Sequence, residues 1–205
     1  MNKEVQTHNG FFNGEEGGQF MIEIRIHGRG GQGAVIASEV LADAVFQEGK
    51  YVQSFPAFGV ERRGAPVTAF TRINDKPIRI RTQIYTPDHI MVLDPTLLEV
   101  VDVTAGLKDG AWILINSAKP PHTFTFPDRY RVATVDANAI AVKYHLGPRN
   151  APIINTAILG AFARLTGIVS LETLCNAVRA AVPINPEGNV AAVKEAYEQV
   201  IGDGQ

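Results

Sequence analysis

Cysteine is almost missing from this sequence: Cys175 is the only one in 205 residues. One thiol cannot close an internal disulfide, nor supply the four thiolates that an iron–sulfur cluster normally takes. Electron transfer through such clusters is therefore expected on another chain. An excess of positive charge is missing too, since 19 Lys and Arg face 21 Asp and Glu for a net charge of -2. That balance leaves no basic footprint for a polyanionic backbone, so no nucleic acid partner is expected. No run of about 18 apolar residues occurs, as a membrane-spanning helix would need. The opening MNKEVQTHNG also lacks the basic-then-apolar order of a secretory signal. These absences predict a cytoplasmic chain with no membrane partner.

What is present is ordinary for a globular domain, with 45% hydrophobic and 20% charged residues. Residues 1–20 are rich in Gly, Asn and Glu without apolar periodicity, which predicts a polar tail. Such a tail is ordered only when something ties it down, and a partner chain is the natural candidate. From Met21 the sequence reads as strand, glycine turn and helix. IEIRIH at 22–27 alternates apolar and polar residues, GRGGQG follows at 28–33, and Ala34 to Gln47 forms helix.

Tyr51 to Ser54 reads as a second strand, followed by the irregular SFPAFGVERRGAP at 54–66. Val67 to Ile73 and Ile78 to Arg81 read as a hairpin about Asn74–Pro77, with Ile78 and Ile80 inward and Arg79 and Arg81 outward. HIMVLD at 89–94 and WILIN at 112–116 are continuous apolar runs, as in parallel strands buried on both faces, and RVATVD at 131–136 closes the series. Asp94 with Pro95 opens a helical turn, and Asp136 opens a helix over Ala137 to His145. Further helices are predicted at about 153–165, at 171–181 capped by Ser170, and at 187–201 capped by Asn185 with Pro186 next. The order predicts a Rossmann-like α/β fold, a three-layer sandwich with a mainly parallel sheet.

GRGGQG satisfies G-x-G-x-x-G through Gly28, Gly30 and Gly33, with Arg29, Gly31 and Gln32 between them. Glycines let the backbone approach a diphosphate, and the free N–H groups at the helix start favour an anion. The same glycines also suit a mere tight turn. A nicotinamide site would add an acid at the end of the second strand, but Ser54 stands there and Glu48 falls before the strand, at the wrong edge. No Tyr-x-x-x-Lys pair occurs either, so a stand-alone NAD(P)-binding Rossmann-type reductase is the alternative reading.

Arg62 and Arg63, followed by Gly64, present two guanidinium groups to phosphate or carboxylate, or else form an exposed charged turn with Glu61. In open α/β sheets ligands bind beyond the carboxyl ends of the strands, where Ser54, Asp94, Asn116 and Asp136 stand. Asp94 and Asp136 read as helix caps, and Asn116 as the better ligand candidate. Asn155 is either a cap or an amide donor. His27 reads as structural with a general base as the alternative, and Cys175 as an inert core thiol. No catalytic or metal-ligating residue is assigned to the chain.

GRGGQG at 28–33, SFPAFGVERRGAPV at 54–67, LDP at 93–95 and NTAILGAF at 155–162 together resemble the γ subunit of 2-oxoacid:ferredoxin oxidoreductases, of which pyruvate:ferredoxin oxidoreductase is the best known. The resemblance covers about residues 21–201. It implies one γ-type domain over 21–205 that assembles with thiamine diphosphate-binding α and β subunits and a ferredoxin-like iron–sulfur subunit. Thiamine diphosphate with Mg and the clusters would sit on those partners. The γ domain would help bind coenzyme A over the active site while a 2-oxoacid is oxidatively decarboxylated to its acyl-CoA, electrons leaving to ferredoxin or NAD. Gly28, Arg29, Gly30, Gly31, Gln32, Gly33, Ser54, Arg62, Arg63, Gly64, Asn116 and Asn155 are the expected coenzyme A contacts. The only Gly-Asp-Gly, at 202–204, lacks downstream asparagines, so a thiamine site is expected elsewhere.

Overall fold

A computed structural model describes residues 21–57 and 63–202. The expected tail at 1–20 and the core of the arginine loop at 58–62 lie outside them. Seven strands form one sheet in the order β2-β3-β1-β4-β5-β6-β7. The strands are β1 (Met21–Arg29), β2 (Tyr51–Pro56), β3 (Pro66–Asn74), β4 (His89–Val92), β5 (Trp112–Asn116), β6 (Arg131–Val135) and β7 (Ile201–Gly202). The centre, β1-β4-β5-β6, is parallel, while β3 runs antiparallel to β1 and β2, and β7 antiparallel to β6. The expected α/β fold with a mainly parallel sheet is therefore observed, and β4 and β5 are the fully buried runs that their composition predicts.

Five α-helices follow: α1 (Ala34–Gln47), α2 (Ala137–Lys143), α3 (Ala157–Thr166), α4 (Leu171–Ala181) and α5 (Pro186–Gln199). All five pack on one face of the sheet, in a core with Ile24, Ile26, Met91, Leu114 and Val135. The other face buries Ile90, Val92, Ile113, Ile115 and Val132 under Leu97, Val103, Leu107 and Tyr130. The third layer is thus built of loops and short 3-10 turns, at Pro95–Glu99 and Pro121–Thr123. Crossover handedness explains the division. The chain leaves β1 towards β2 in one direction and leaves β4 towards β5 and β6 in the other, so right-handed connections fall on opposite faces. The β4–β5 and β5–β6 connections carry only the two short 3-10 turns. Among the described residues no helix is long and apolar enough to cross a membrane.

Some sequence expectations fail here. The hairpin is not formed: Ile78–Arg81 is irregular and Ile80 is 43% exposed. Both edges of β3 are already taken, since Arg72 pairs with Glu23 of β1 on one side and Gln53 of β2 on the other. No edge is left for a following strand. β2 runs two residues beyond Ser54, and α3 starts later than expected because 149–154 forms a loop.

Candidate functional site

The parallel strands carry a break in direction between β1 and β4, where connections depart to opposite faces. In open α/β sheets a ligand crevice lies beyond the carboxyl ends of the strands at such a point. A cleft of about 1020 Å³ opens there, lined by Gly31, Gln32 and Gly33 after β1, Pro95 after β4, and Asn116 with Lys119 after β5. Asp136 and Asn138 from the start of α2 and residues 149–155 before α3 complete the wall. A smaller cavity of about 650 Å³ lies between β2 and Ile78–Arg81, on the outer edge of the sheet, and none of its residues comes from the glycine turn.

The glycine turn is shaped by close contacts. A Cβ at Gly28 would stand 3.2 Å from Leu93 Cδ1 and 3.3 Å from Ala34 Cβ, so its absence lets α1 approach the sheet. Gly33, the residue before α1, has a left-handed φ of 79° and packs under the Asn155 amide, where a side chain would collide with Nδ2. Gly33 offers α1 no side-chain cap, and the first turn of α1 holds no acidic residue. Four other helical segments start on side-chain caps: Asp94 accepts from Thr96 N, Asp136 from Ala139 N, Ser170 from Thr173 N and Asn185 from Gly188 N. The amides at the start of α1 are left for something else.

Asn155 stands beside them. It is 4% exposed, and its Oδ1 accepts from Thr156 N at 2.9 Å. Among the described residues its Nδ2 has no acceptor. Asn155 lines the cleft beside Gly33, which sets its Nδ2 within reach of an acceptor entering the cleft. Oδ1 serves the backbone and Nδ2 faces the glycine turn, so both readings of Asn155, cap and donor, stand.

The arginine-loop motif is clamped to the glycine turn, as the sequence places it. Gly30 N donates to Ala65 O at 2.9 Å, Gly64 N donates to Gly30 O at 3.0 Å, and Gly30 pairs with Arg63 in a parallel bridge. Arg63 is exposed and does not line the cleft, and among the described residues its guanidinium has no partner. Arg62 lies outside the described residues.

Several expected contacts are committed elsewhere. The Arg29 guanidinium binds Asp94 Oδ2 at 2.9 Å, Gly64 O at 3.1 Å and Thr96 Oγ1 at 2.8 Å, which makes it a strut between loops. Burial pushes the Asp94 carboxyl up, but hydrogen bonds from Thr96 and from Arg29, with the Arg29 charge, outweigh it and hold Asp94 below the usual carboxylate range. Gln32 accepts from Arg29 N at 2.7 Å and donates to Asp94 at 3.3 Å. Asn116 donates to Leu93 O at 2.9 Å and accepts from Ala137 N at 3.1 Å, so it ties β4 to α2 at the cleft wall. Ser54 is not in the cleft. Mid-strand rather than at a strand end, it meets Ser38 of α1 at 2.8 Å.

His27 is structural. It accepts from Arg25 Nε at 3.0 Å, and burial, followed by the Arg25 charge, lowers its pKa to about 3 against a smaller opposing effect of Asp102. Such an imidazole is neutral but already occupied at its basic nitrogen. Cys175 is buried on α4 and burial raises its thiol pKa, which leaves it inert. The sequence reading missed the far wall, above all Lys119 and Arg149; that Lys119 leaves β5 at the same carboxyl edge as Asn116 was the available signal.

A model of the family described as pyruvate ferredoxin/flavodoxin oxidoreductase matches residues 23–199. The chain belongs to that family. The common γ subunit of the pyruvate/ketoisovalerate oxidoreductases of Thermococcus kodakarensis is 55% identical over 185 residues, which are 88% of this chain and 98% of its own. Pyruvate synthase subunit PorC of Methanothermobacter marburgensis is 52% identical, over 90% of this chain and 100% of its own. The crystal structure of a pyruvate oxidoreductase subunit from Thermotoga maritima superposes with a TM-score of 0.76 at 36% identity, over 89% of this chain and 98% of that one. The 2-oxoglutarate:ferredoxin oxidoreductase of Magnetococcus marinus, solved with 2-oxoglutarate, coenzyme A and succinyl-CoA bound, gives 0.66 at 20% identity over 87% of this chain and 30% of that chain, a likeness of fold alone. The resemblance to γ subunits drawn from four motifs is borne out.

Proposed function

We propose that this γ subunit binds coenzyme A in the cleft beyond β1 and β4, and presents its thiol to an active site carried by partner chains. The carrying observation is the uncapped start of α1 beside the Asn155 amide, which lines the same cleft and whose Nδ2 has no acceptor among the described residues. Backbone amides at a helix start, the helix dipole and one amide donor suit a diphosphate. Gly31 and Gly33 line that end of the cleft, and Asn116 and Gln32 fix its walls. Arg63, bridged through its backbone to Gly30, adds positive charge near the glycine turn.

Coenzyme A contributes the acyl-accepting thiol; this chain binds and orients it. Thiamine diphosphate with Mg and the iron–sulfur clusters belong to the α, β and ferredoxin-like subunits in this reading. A single buried cysteine cannot ligate a cluster. The reaction is then oxidative decarboxylation of a 2-oxoacid to its acyl-CoA, with pyruvate favoured by the names of the relatives. The stand-alone NAD(P) reductase reading loses support. Antiparallel β3 occupies the place beside β1 where a ribose-binding strand would lie, and Glu48 accepts from Ser170 N at the opposite edge.

Asn155→Asp in the assembled complex tests the reading. The change keeps an acceptor for Thr156 N, removes the donor and sets a negative charge towards the proposed diphosphate. The KM for coenzyme A is expected to rise about tenfold or more, as loss of a hydrogen bond to a charged group implies. The KM for the 2-oxoacid is expected to stay put. Unaltered coenzyme A kinetics would reject the cleft as its site.

A further inference from the structure

The cleft has a second positive region that no motif announces. Lys119 follows β5 by three residues, and Arg149 stands in the loop between α2 and α3, so two segments 30 residues apart in sequence bring a cation each to one cleft. Both side chains are exposed, and among the described residues neither the Lys119 ammonium nor the Arg149 guanidinium has a hydrogen-bond or ion-pair partner. The carboxylate that shares this wall, Asp136, is committed to Ala139 N at 2.9 Å. Some exposed cations elsewhere are paired, as Lys143 is with Glu195, Arg179 with Glu187 and Lys108 with Asp88, whereas Lys119 and Arg149 face the cleft unpaired.

Two parts of the cleft wall differ in chemistry. At the start of α1, fixed backbone amides and the Asn155 amide suit the singly charged groups of a diphosphate bridge. Elsewhere on the wall of the same cleft, an ammonium and a guanidinium suit a more compact and more highly charged group. A phosphomonoester carries about -1.5 to -2 charges near pH 7 and three strong acceptor oxygens. Arginine meets it through a planar fork and lysine as a point charge. A cleft of about 1020 Å³ has room for both groups on one nucleotide.

We propose that Lys119 and Arg149 form a phosphomonoester subsite that recognises the 3′-phosphate of coenzyme A and thereby selects it over the dephosphorylated form. This rests on the reading of the cleft as a coenzyme A site. The two residues set specificity and take no part in the acyl transfer.

The test compares coenzyme A with 3′-dephospho-coenzyme A as acceptors in the assembled enzyme, reading 2-oxoacid-dependent reduction of a dye. Wild type is expected to prefer coenzyme A. Lys119→Ala with Arg149→Ala is expected to raise the KM for coenzyme A about 10- to 100-fold, the range for losing charge-assisted hydrogen bonds, and to leave that for the dephospho form unchanged. Because both side chains are exposed, the variant is expected to assemble; Arg149→Gln alone, retaining the volume, gives the same pattern at smaller amplitude. An equal rise for both acceptors, or no rise for either, overturns the subsite. Asn155→Asp in the same assay separates that failure from a deeper one. If it raises both KM values while the double variant changes neither, coenzyme A lies in the cleft but its 3′-phosphate is held elsewhere. If it too changes neither, the cleft is not the coenzyme A site.

Discussion

Two helices open on the same cleft and begin differently. α2 starts on Asp136, whose carboxylate accepts from Ala139 N and fills the positive end of its own helix. α1 starts on Gly33, which has no side chain to give, and no acid follows in its first turn. An aspartate cap is worth about 1 kcal/mol to a helix. The chain forgoes it at α1 while taking it at α2, in the same pocket and solvent. Under the proposed coenzyme A reading, the difference would separate the end held open for an anion from the end already closed by one.

The strongest way to break the contrast is to make α1 resemble α2. Gly33→Asp is tolerable to the backbone, since Asp is among the residues that visit left-handed φ most readily. Its side chain displaces the Asn155 amide that packs over Gly33 and sets a carboxylate against the proposed diphosphate. Like charges brought together at a binding site cost several kcal/mol. The KM for coenzyme A is expected to rise about 100-fold, measured in the assembled complex with the KM for the 2-oxoacid as the internal control. A normal coenzyme A response from this variant would mean that the open start of α1 serves only to make a tight turn.

A smaller effect is expected at Arg63. Its backbone is fixed by the bridge to Gly30, but its side chain is exposed and outside the cleft wall. An exposed charge acting through solvent is worth about 0.2–1 kcal/mol, so Arg63→Ala is expected to raise the KM for coenzyme A only about two- to fivefold. That increment is expected to shrink as salt is raised, because the Debye length falls from about 10 Å at 0.1 M to about 3 Å at 1 M. A salt-independent loss would indicate direct contact with the ligand in the assembled enzyme.

The same contrast shows what the sequence could convey. The glycine turn was legible because its signal is local: a strand, three spaced glycines and a helix lie within 26 residues of chain, and β4 and β5 announce themselves as unbroken apolar runs. The caps at Asp136, Ser170 and Asn185 were legible for the same reason. The false hairpin arose because Ile78–Arg81 alternates like a strand, whereas its fate is decided by β1, which pairs with β3 from some fifty residues earlier. Arg29, Gln32 and Asn116 looked like ligand contacts because they stand at strand ends. Their bonds to Asp94, Thr96 and Leu93 depend on loops more than twenty residues away, and no local pattern encodes them. Lys119 and Arg149 went unread because isolated cations in loops carry no periodic or motif signal at all.

The smallest kinetic effect belongs to the capped helix, and it sharpens the comparison most. Asp136→Ala strips α2 of its cap and is expected to cost about 1 kcal/mol of stability, read as a fall in Tm of about 2–4 °C for a chain of this size. If any bare helix start in this cleft attracted phosphate, the variant would acquire a second such end and bind coenzyme A more tightly. α2 has only seven residues, however, and the amide in its first turn, Asn138, is exposed rather than packed against a glycine as Asn155 is against Gly33. Its KM for coenzyme A is therefore expected to stay within about twofold of wild type while Tm falls, since removing an exposed charge shifts binding by less than about 1 kcal/mol. A marked tightening would show that the dipole alone attracts the anion; an unchanged KM would show that the position of Gly33 and Asn155 together, and not helix polarity by itself, makes α1 the binding end.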